Sequence, residues 1–234
     1  MMKKSIVIYI LLVTTLVGCN ISSRSVEPTT TAAVIPTLEF EQPTTIPTAL
    51  PTSNQTPNIF SSPTQTLSTQ QIILDRAFMV ISALKNKDMT ALSHYVHPQM
   101  GLRFSPYATV KDTDQVFAAE KVVGLMIDST AYLWGNYDGS GEPINLTFAD
   151  YYPKFIYDED FANAPQIALN HRLGTGNSID NIFEYYQSSI FVEFYFPEFD
   201  PQYAGMDWRS LRLVFTQQGD DWYLVGIIHD QWTI

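Results

Sequence analysis

Apolar positions change their spacing along the 234-residue chain, and those changes divide it into segments. From residue 69 on, Ile73, Ala77, Val80, Ile81 and Leu84 recur three and four apart, which predicts an amphipathic helix. Ser68-Thr69-Gln70-Gln71 in front of it fits a capping box. Lys85-Asn86-Lys87 makes a turn, and Asp88 is placed to cap a second short helix through Met89, Leu92 and Val96 that Pro98 stops. Residues 101–107 read as extended and 120–126 as another short helix. Period-two patterning then takes over. Residues 131–137 predict a strand ahead of the turn-forming run Asp138-Gly139-Ser140-Gly141-Glu142-Pro143, and Thr147-Phe148-Ala149-Asp150 can cap a helix reaching Tyr157. Residues 189–196 predict a core strand that Pro197 ends. The clearest hairpin joins 208–216 to 222–229 across Gln217-Gln218-Gly219-Asp220. Strict alternation along the closing strand puts Tyr223, Val225, Ile227, His229 and Gln231 on one face and Trp222, Leu224, Gly226, Ile228 and Asp230 on the other. Helices first and antiparallel strands last predict a single α+β domain over residues 69–234.

The first twenty residues follow a different logic. Lys3 and Lys4 precede an uncharged run over 5–17 that is too short to span a bilayer permanently, and Leu16-Val17-Gly18-Cys19 closes it. This layout resembles a bacterial lipobox, which implies a signal peptide over 1–18 and a lipid on Cys19. The mature chain would then be extracytoplasmic and anchored to a bacterial membrane. Cys19 is the only cysteine, so the domain cannot form an internal disulfide and must rest on its core. Residues 19–68 are rich in Thr, Pro and Ser, with prolines from Pro28 to Pro63 every few positions. Such a composition predicts a disordered tether with little apolar surface to bury. A polyproline-like stretch of that length would reach on the order of 150 Å.

Two parts of the domain resemble a known family. Residues 83–92, a leading helix that runs into a short-helix stretch, look like the opening of nuclear-transport-factor-2-like, or cystatin-like, domains. Gly219-Asp220-Asp221-Trp222-Tyr223-Leu224-Val225-Gly226-Ile227-Ile228-His229 is similar to their last two strands. The resemblance implies N-terminal helices packed on a curved antiparallel sheet that forms a cone with a pocket. It covers about a third of the domain, and residues 135–180 depart from it by being longer and richer in loops. It implies no activity, because that fold carries enzymes, ligand binders and interaction modules.

Charge narrows the partners. Lys3, Lys4 and Arg24 balance Glu27, Glu39 and Glu41, so the net charge of −11 belongs to the domain. Nucleic acid is a poor partner for such a surface, since affinity for phosphate comes mainly from Lys and Arg. A small molecule, a glycan or an envelope protein remains open, as does a homodimer formed through the sheet.

The candidate chemistry is sparse. His94 and His97 have a metal-compatible spacing but fit a solvated helix end better, and no metal or cofactor is expected. His229, at the end of an apolar row and next to Asp230, could act as a general base or simply bond to backbone. Arg103 lies between apolar residues, and pairing with Glu193 is expected, since either charge buried alone is costly. His171-Arg172 reads as loop. Asp138-Gly139-Ser140-Gly141-Glu142 opens like a calcium loop, but Pro143 and Ala149 stand where glycine and glutamate would be needed. No serine or cysteine nucleophile motif, Walker loop or dinucleotide fingerprint occurs. A non-catalytic binding module is the leading expectation. The alternative is a small hydrolase or isomerase that draws on His97, Arg103, Glu193, His229 and Asp230 as its pocket residues.

Overall fold

The computed structural model describes residues 67–233. The predicted signal, Cys19 and all but the last two residues of the predicted tether lie outside the described residues.

The described chain runs α1 (Thr69–Lys85), α2 (Met89–Ser93), β1 (Leu102–Ser105), β2 (Gln115–Phe117), α3 (Ala119–Val122), β3 (Tyr132–Asn136), β4 (Pro143–Leu146) and α4 (Phe148–Phe155). It continues through β5 (Gln166–Leu169), α5 (Ile182–Tyr185), β6 (Ile190–Phe196), β7 (Arg209–Gln218) and β8 (Asp221–Gln231). The fold is a mixed α+β arrangement with few helices and a curved, antiparallel-rich sheet. Six strands pair in the order β2-β1-β8-β7-β6-β5, and β3–β4 form a separate hairpin. The expectation of a purely antiparallel sheet fails at one place. The chain enters β1 through a bridge from Val96 to Leu224 and so pairs parallel to β8.

Local chemistry explains most boundaries. Ser68 caps α1 by accepting from the Gln71 amide at 3.2 Å, but the Gln71 side chain turns forward to Asp75, so only half of the capping box forms. Asp88 caps α2 and Thr147 caps α4 in the same way. The β7–β8 turn is tighter than the four-residue loop expected: Gln217 and Gln218 stay paired with Trp222 and Asp221, which leaves Gly219-Asp220 to turn the chain. Gly219 has φ +63°, a backbone region that glycine enters without steric cost.

The sheet has two covered faces. On one, Val192, Phe194, Leu211, Leu213, Phe215 and Leu224 pack against the apolar stripe of α1 and against Phe148, Tyr151, Tyr152 and Phe155 of α4. Trp134 stacks on Tyr151 at 3.9 Å within this core. Each such side chain contributes about 1.5–3 kcal/mol on burial. On the other face Phe191, Val214, Val225 and Ile228 pack with Ile182 and Tyr186.

Strict alternation along β8 does not hold, because the register shifts between Val214 and Phe215 and leaves Val225 as an extra residue. Past this bulge the faces exchange. Leu224, Ile227 and His229 consequently share the helix-covered face, and Val225, Ile228 and Asp230 lie on the opposite one.

Candidate ligand site

The five residues singled out from sequence do not converge on one site; only Glu193 and Asp230 are brought together, both on Arg212. His97 is buried, 5% exposed, not at a solvated helix end as expected. The chain leaves α2 at Ser93 and bridges to β8, with the His97 amide donating to the Leu224 carbonyl at 3.0 Å, and this carries the ring inward against Tyr223. Its Nδ1 accepts from the Gln99 and Met100 amides at 3.2 and 3.0 Å, which makes it a turn-closing group. Burial pushes its pKa down. Arg103 donates to the Lys111 and Asp114 carbonyls and lies 5.0 Å over the Tyr185 ring. The expected Arg103–Glu193 pair does not form, since β1 is separated from β6 by β8 and β7.

Glu193 instead meets Arg212 directly across the β6–β7 pairing, with Nε to Oε1 at 3.2 Å. The same guanidinium reaches Asp230 on β8 at 2.6 Å, and all three side chains are fully buried. A strap of irregular chain over residues 170–181 closes on this triad. Arg172 bonds Asp230 at 3.0 Å, the Leu173 and Gly174 amides donate to Glu193, and Asp180 lies 3.6 Å from Arg212 Nη1. The Ser210 hydroxyl also donates to Glu193. Burial works against the charge on Arg212, but Glu193, Asp230 and Asp180 outweigh it and hold the pKa up.

His229 lies on the opposite face, fully buried and edge-on to Phe155 at 5.8 Å. Its Nε2 is 3.1 Å from Asp158, and its Nδ1 is 3.3 Å from the Pro106 carbonyl. Both ring nitrogens therefore face acceptors, and neither is presented to a substrate. Arg209 donates to the same Asp158 oxygen at 3.1 Å. Burial pushes the Asp158 pKa up, but His229 and Arg209 more than reverse it and hold it below the usual carboxylate value.

A cleft of about 570 Å³ opens elsewhere, lined by Pro106, Tyr107, Thr109, Lys111 and Asp114, by residues of and just after β3, and by Asn177, Ser178 and Ile179 of the strap. This volume suits a small-molecule ligand. Two loops and the end of β3 with its turn build the cleft, and side chains fasten them. The Asp138 amide donates to the Tyr107 hydroxyl at 3.2 Å, and the Thr109 hydroxyl donates to the Ile179 carbonyl at 2.7 Å. Asn181 pairs in both directions with the backbone of Val110, at 2.8 and 2.9 Å. At its base Asp114, 6% exposed, accepts from Ser105 and from the Lys111 amide. Burial nonetheless pushes the Asp114 pKa up, so this carboxyl carries its charge less readily than a free one. The lining offers tyrosine rings, two asparagines, hydroxyls, one lysine and two carboxylates, a mixed set of donors and acceptors with little net charge.

None of the five sequence candidates lines the cleft. Sequence reasoning missed Asp114, Asp158 and Arg212. Only Arg212 had a usable signal, a charge inside the apolar run Leu211-Arg212-Leu213-Val214-Phe215.

Comparison with known proteins adds little. No family model and no curated protein matches the chain. Among solved structures it is similar to a chain described as a calcium/calmodulin dependent protein kinase II association domain from Xanthomonas campestris. The match has 11% identity and a TM-score of 0.28, over 74% of this chain and 91% of that one. At this level the match transfers neither a fold family nor a function.

Proposed function

We propose that this chain is a lipid-anchored lipoprotein of a bacterial cell envelope whose nuclear-transport-factor-2-like domain binds a small uncharged ligand, such as a saccharide unit, without transforming it. The observation that carries this reading is the separation between the buried charge pairs of the sheet and the open cleft. His97, Arg103, Glu193, His229 and Asp230 are each engaged by internal partners, whereas the cleft presents aromatic and amide side chains with nearly balanced charge. A saccharide combines apolar ring faces with hydroxyls that both donate and accept, and tyrosine beside asparagine, lysine and carboxylate offers the counterpart of each. An enzyme would require a titratable pair converging on the ligand with perturbed pKa values, whereas Asp114, the cleft carboxyl whose pKa is raised, is engaged by the Ser105 hydroxyl and the Lys111 amide. The signal layout ending in Cys19, and the leading helix and closing strand pair over 83–92 and 219–229, support the anchor and the fold family respectively.

The test uses full-length chain in detergent on an array of neutral oligosaccharides, with binders confirmed by calorimetry. Binding that is lost in Tyr137→Ala, with unfolding unchanged, is the expected result. Binding that survives Tyr137→Ala and Asn136→Ala together, or turnover of a bound saccharide, would overturn the reading. For the anchor, Cys19→Ser is expected to move the protein out of the membrane fraction, and a variant just as firmly retained there contradicts lipidation.

A further inference from the structure

The buried charges around Arg212 lie on the far side of the sheet from the main core, and no step of ligand binding above uses them. Their contacts nevertheless lead to the cleft. The strap that covers them also supplies Asn177, Ser178 and Ile179 to the cleft lining. We infer that Arg212 is the positioning residue of the ligand site: through Asp180, Asp230 and Glu193 it holds the strap at the distance from Pro106–Lys111 and the β3–β4 hairpin that sets the width of the cleft. The inference rests on the ligand reading for its functional meaning, but not for its test.

The geometry is specific. Asp230 Oδ2 is shared, taking Arg212 Nη2 at 2.6 Å from β7 and Arg172 Nη2 at 3.0 Å from the strap, so one carboxylate joins frame to strap. Glu193 repeats the device by accepting from Arg212 on one side and from the Leu173 and Gly174 amides on the other. Arg172 Nη1 also donates to the Ser178 carbonyl at 3.3 Å, so the same side chain fixes the strap segment that faces the cleft. Asp180 Oδ1 accepts from the Ile182 amide at 3.0 Å, which leads the strap into α5. The irregular strap has no backbone ladder of its own between 171 and 181, so its position depends on these side chains, on the Thr109 and Asn181 contacts at its other edge, on Thr233 donating to Asn177 at 2.8 Å, and on the Trp208 indole beneath Gly174 and Gly176. An ion network buried to this degree is an expensive way to stabilise a sheet, whereas its direction and register fit the task of fixing one loop in one place.

The experiment is hydrogen–deuterium exchange on the full-length chain, comparing wild type, Arg212→Met and Asp180→Asn. Asp180 belongs to the strap, so its variant loosens the strap without placing a new side chain in β7. Faster exchange, by tenfold or more, is expected over 171–182 in both variants, with β7–β8 amides unchanged in Asp180→Asn. The double variant should add little to Arg212→Met, because that variant already removes the Asp180 connection along with those to Glu193 and Asp230. Should Arg212→Met lack a folded state, Arg212→Lys, which keeps the charge but cannot bridge three carboxylates, gives the same readout. Unchanged strap exchange in folded variants overturns the inference, and so does a uniform rise across the whole domain. Where the oligosaccharide array yields a binder, its Kd should weaken about tenfold in Asp180→Asn. An unchanged Kd removes Arg212 from the binding role and leaves the ligand reading intact. Loosening confined to the strap with no binder on the array sustains the positioning role and removes the ligand reading.

Discussion

The contact between the strap and Trp208 gives a stability change whose sign can be worked out in advance. Gly174 has no left-handed φ, so alanine fits its backbone. By itself that substitution would stabilise the domain by about 0.4–1 kcal/mol, by restricting the unfolded chain. A Cβ at Gly174, however, would lie 2.5 Å from Cζ3 and 2.9 Å from Cε3 of Trp208, closer than carbon atoms approach. The indole is 2% exposed, so it cannot swing away without opening the layer beneath the strap. Overpacking of this kind costs about 1–3 kcal/mol. The steric cost exceeds the entropic gain, and a net loss of about 1–2 kcal/mol is expected for Gly174→Ala, or roughly 2–8 °C in Tm for a domain of this size.

The assay is urea unfolding followed by far-ultraviolet circular dichroism, where the midpoint should fall without a change in slope. Gly176 provides an internal scale. A Cβ there would lie 3.1 Å from Trp208 Cζ2, a contact that small shifts can relieve, so Gly176→Ala should lose less than Gly174→Ala. In the Trp208→Leu background the penalty at Gly174 should largely vanish, and a double-mutant cycle measures how much of it comes from the indole. A Gly174→Ala protein as stable as wild type, or more stable, refutes the close seating of the strap on Trp208.

A further expectation concerns pH. The lowered Asp158 pKa contributes stability that is fully present above the ordinary carboxylate value of about 3.9 and is lost as pH falls through its lower folded value. Wild type should therefore lose stability more steeply on acidification below about pH 4 than Asp158→Asn does; equal slopes in the two proteins would remove the His229–Asp158–Arg209 cluster as the cause.

Much of the frame was legible in the sequence because its signals are local. The caps at Ser68, Asp88 and Thr147 and the apolar stripe of α1 were readable from a few neighbouring residues, and so were β6 and the closing hairpin. The bulge at Val225 was not, since Val225-Gly226-Ile227-Ile228 continues an apolar run and nothing in it marks an unpaired residue. That single insertion moved Leu224 to the His229 face and Val225 to the Asp230 face. The partner of Glu193 was misjudged for a related reason. Arg103 and Arg212 both sit among apolar neighbours, and the choice between them depends on strand order, which periodicity does not contain. The cleft was the least legible part. Its lining comes from two irregular segments around 106–114 and 177–179 and from the end of β3 with the turn after it, 134–141, which meet only when the sheet and the β3–β4 hairpin are in place.

The two faces of the sheet place different demands on the loops beyond them. The helix-covered face is filled by its own aromatic side chains, Trp134, Phe148, Tyr151 and Phe155 among them. On the proposed ligand reading, recognition falls to the rim, where loops can vary without disturbing the core. Loops at a rim bind selectively only when something rigid fixes their spacing, because each freely moving segment loses conformational entropy when a ligand orders it. The opposite face meets that requirement. Arg212 and Arg172 meet three carboxylates there, and the Leu173 and Gly174 amides supply donors that the two guanidinium groups do not, so the assembly is complete only with the strap in place. A strap that left would expose one arginine and strand Glu193 without its amide donors, a cost that grows with the burial of the triad. The fully buried charges and the open cleft are in this respect two ends of one structure, with the irregular chain over 170–181 between them.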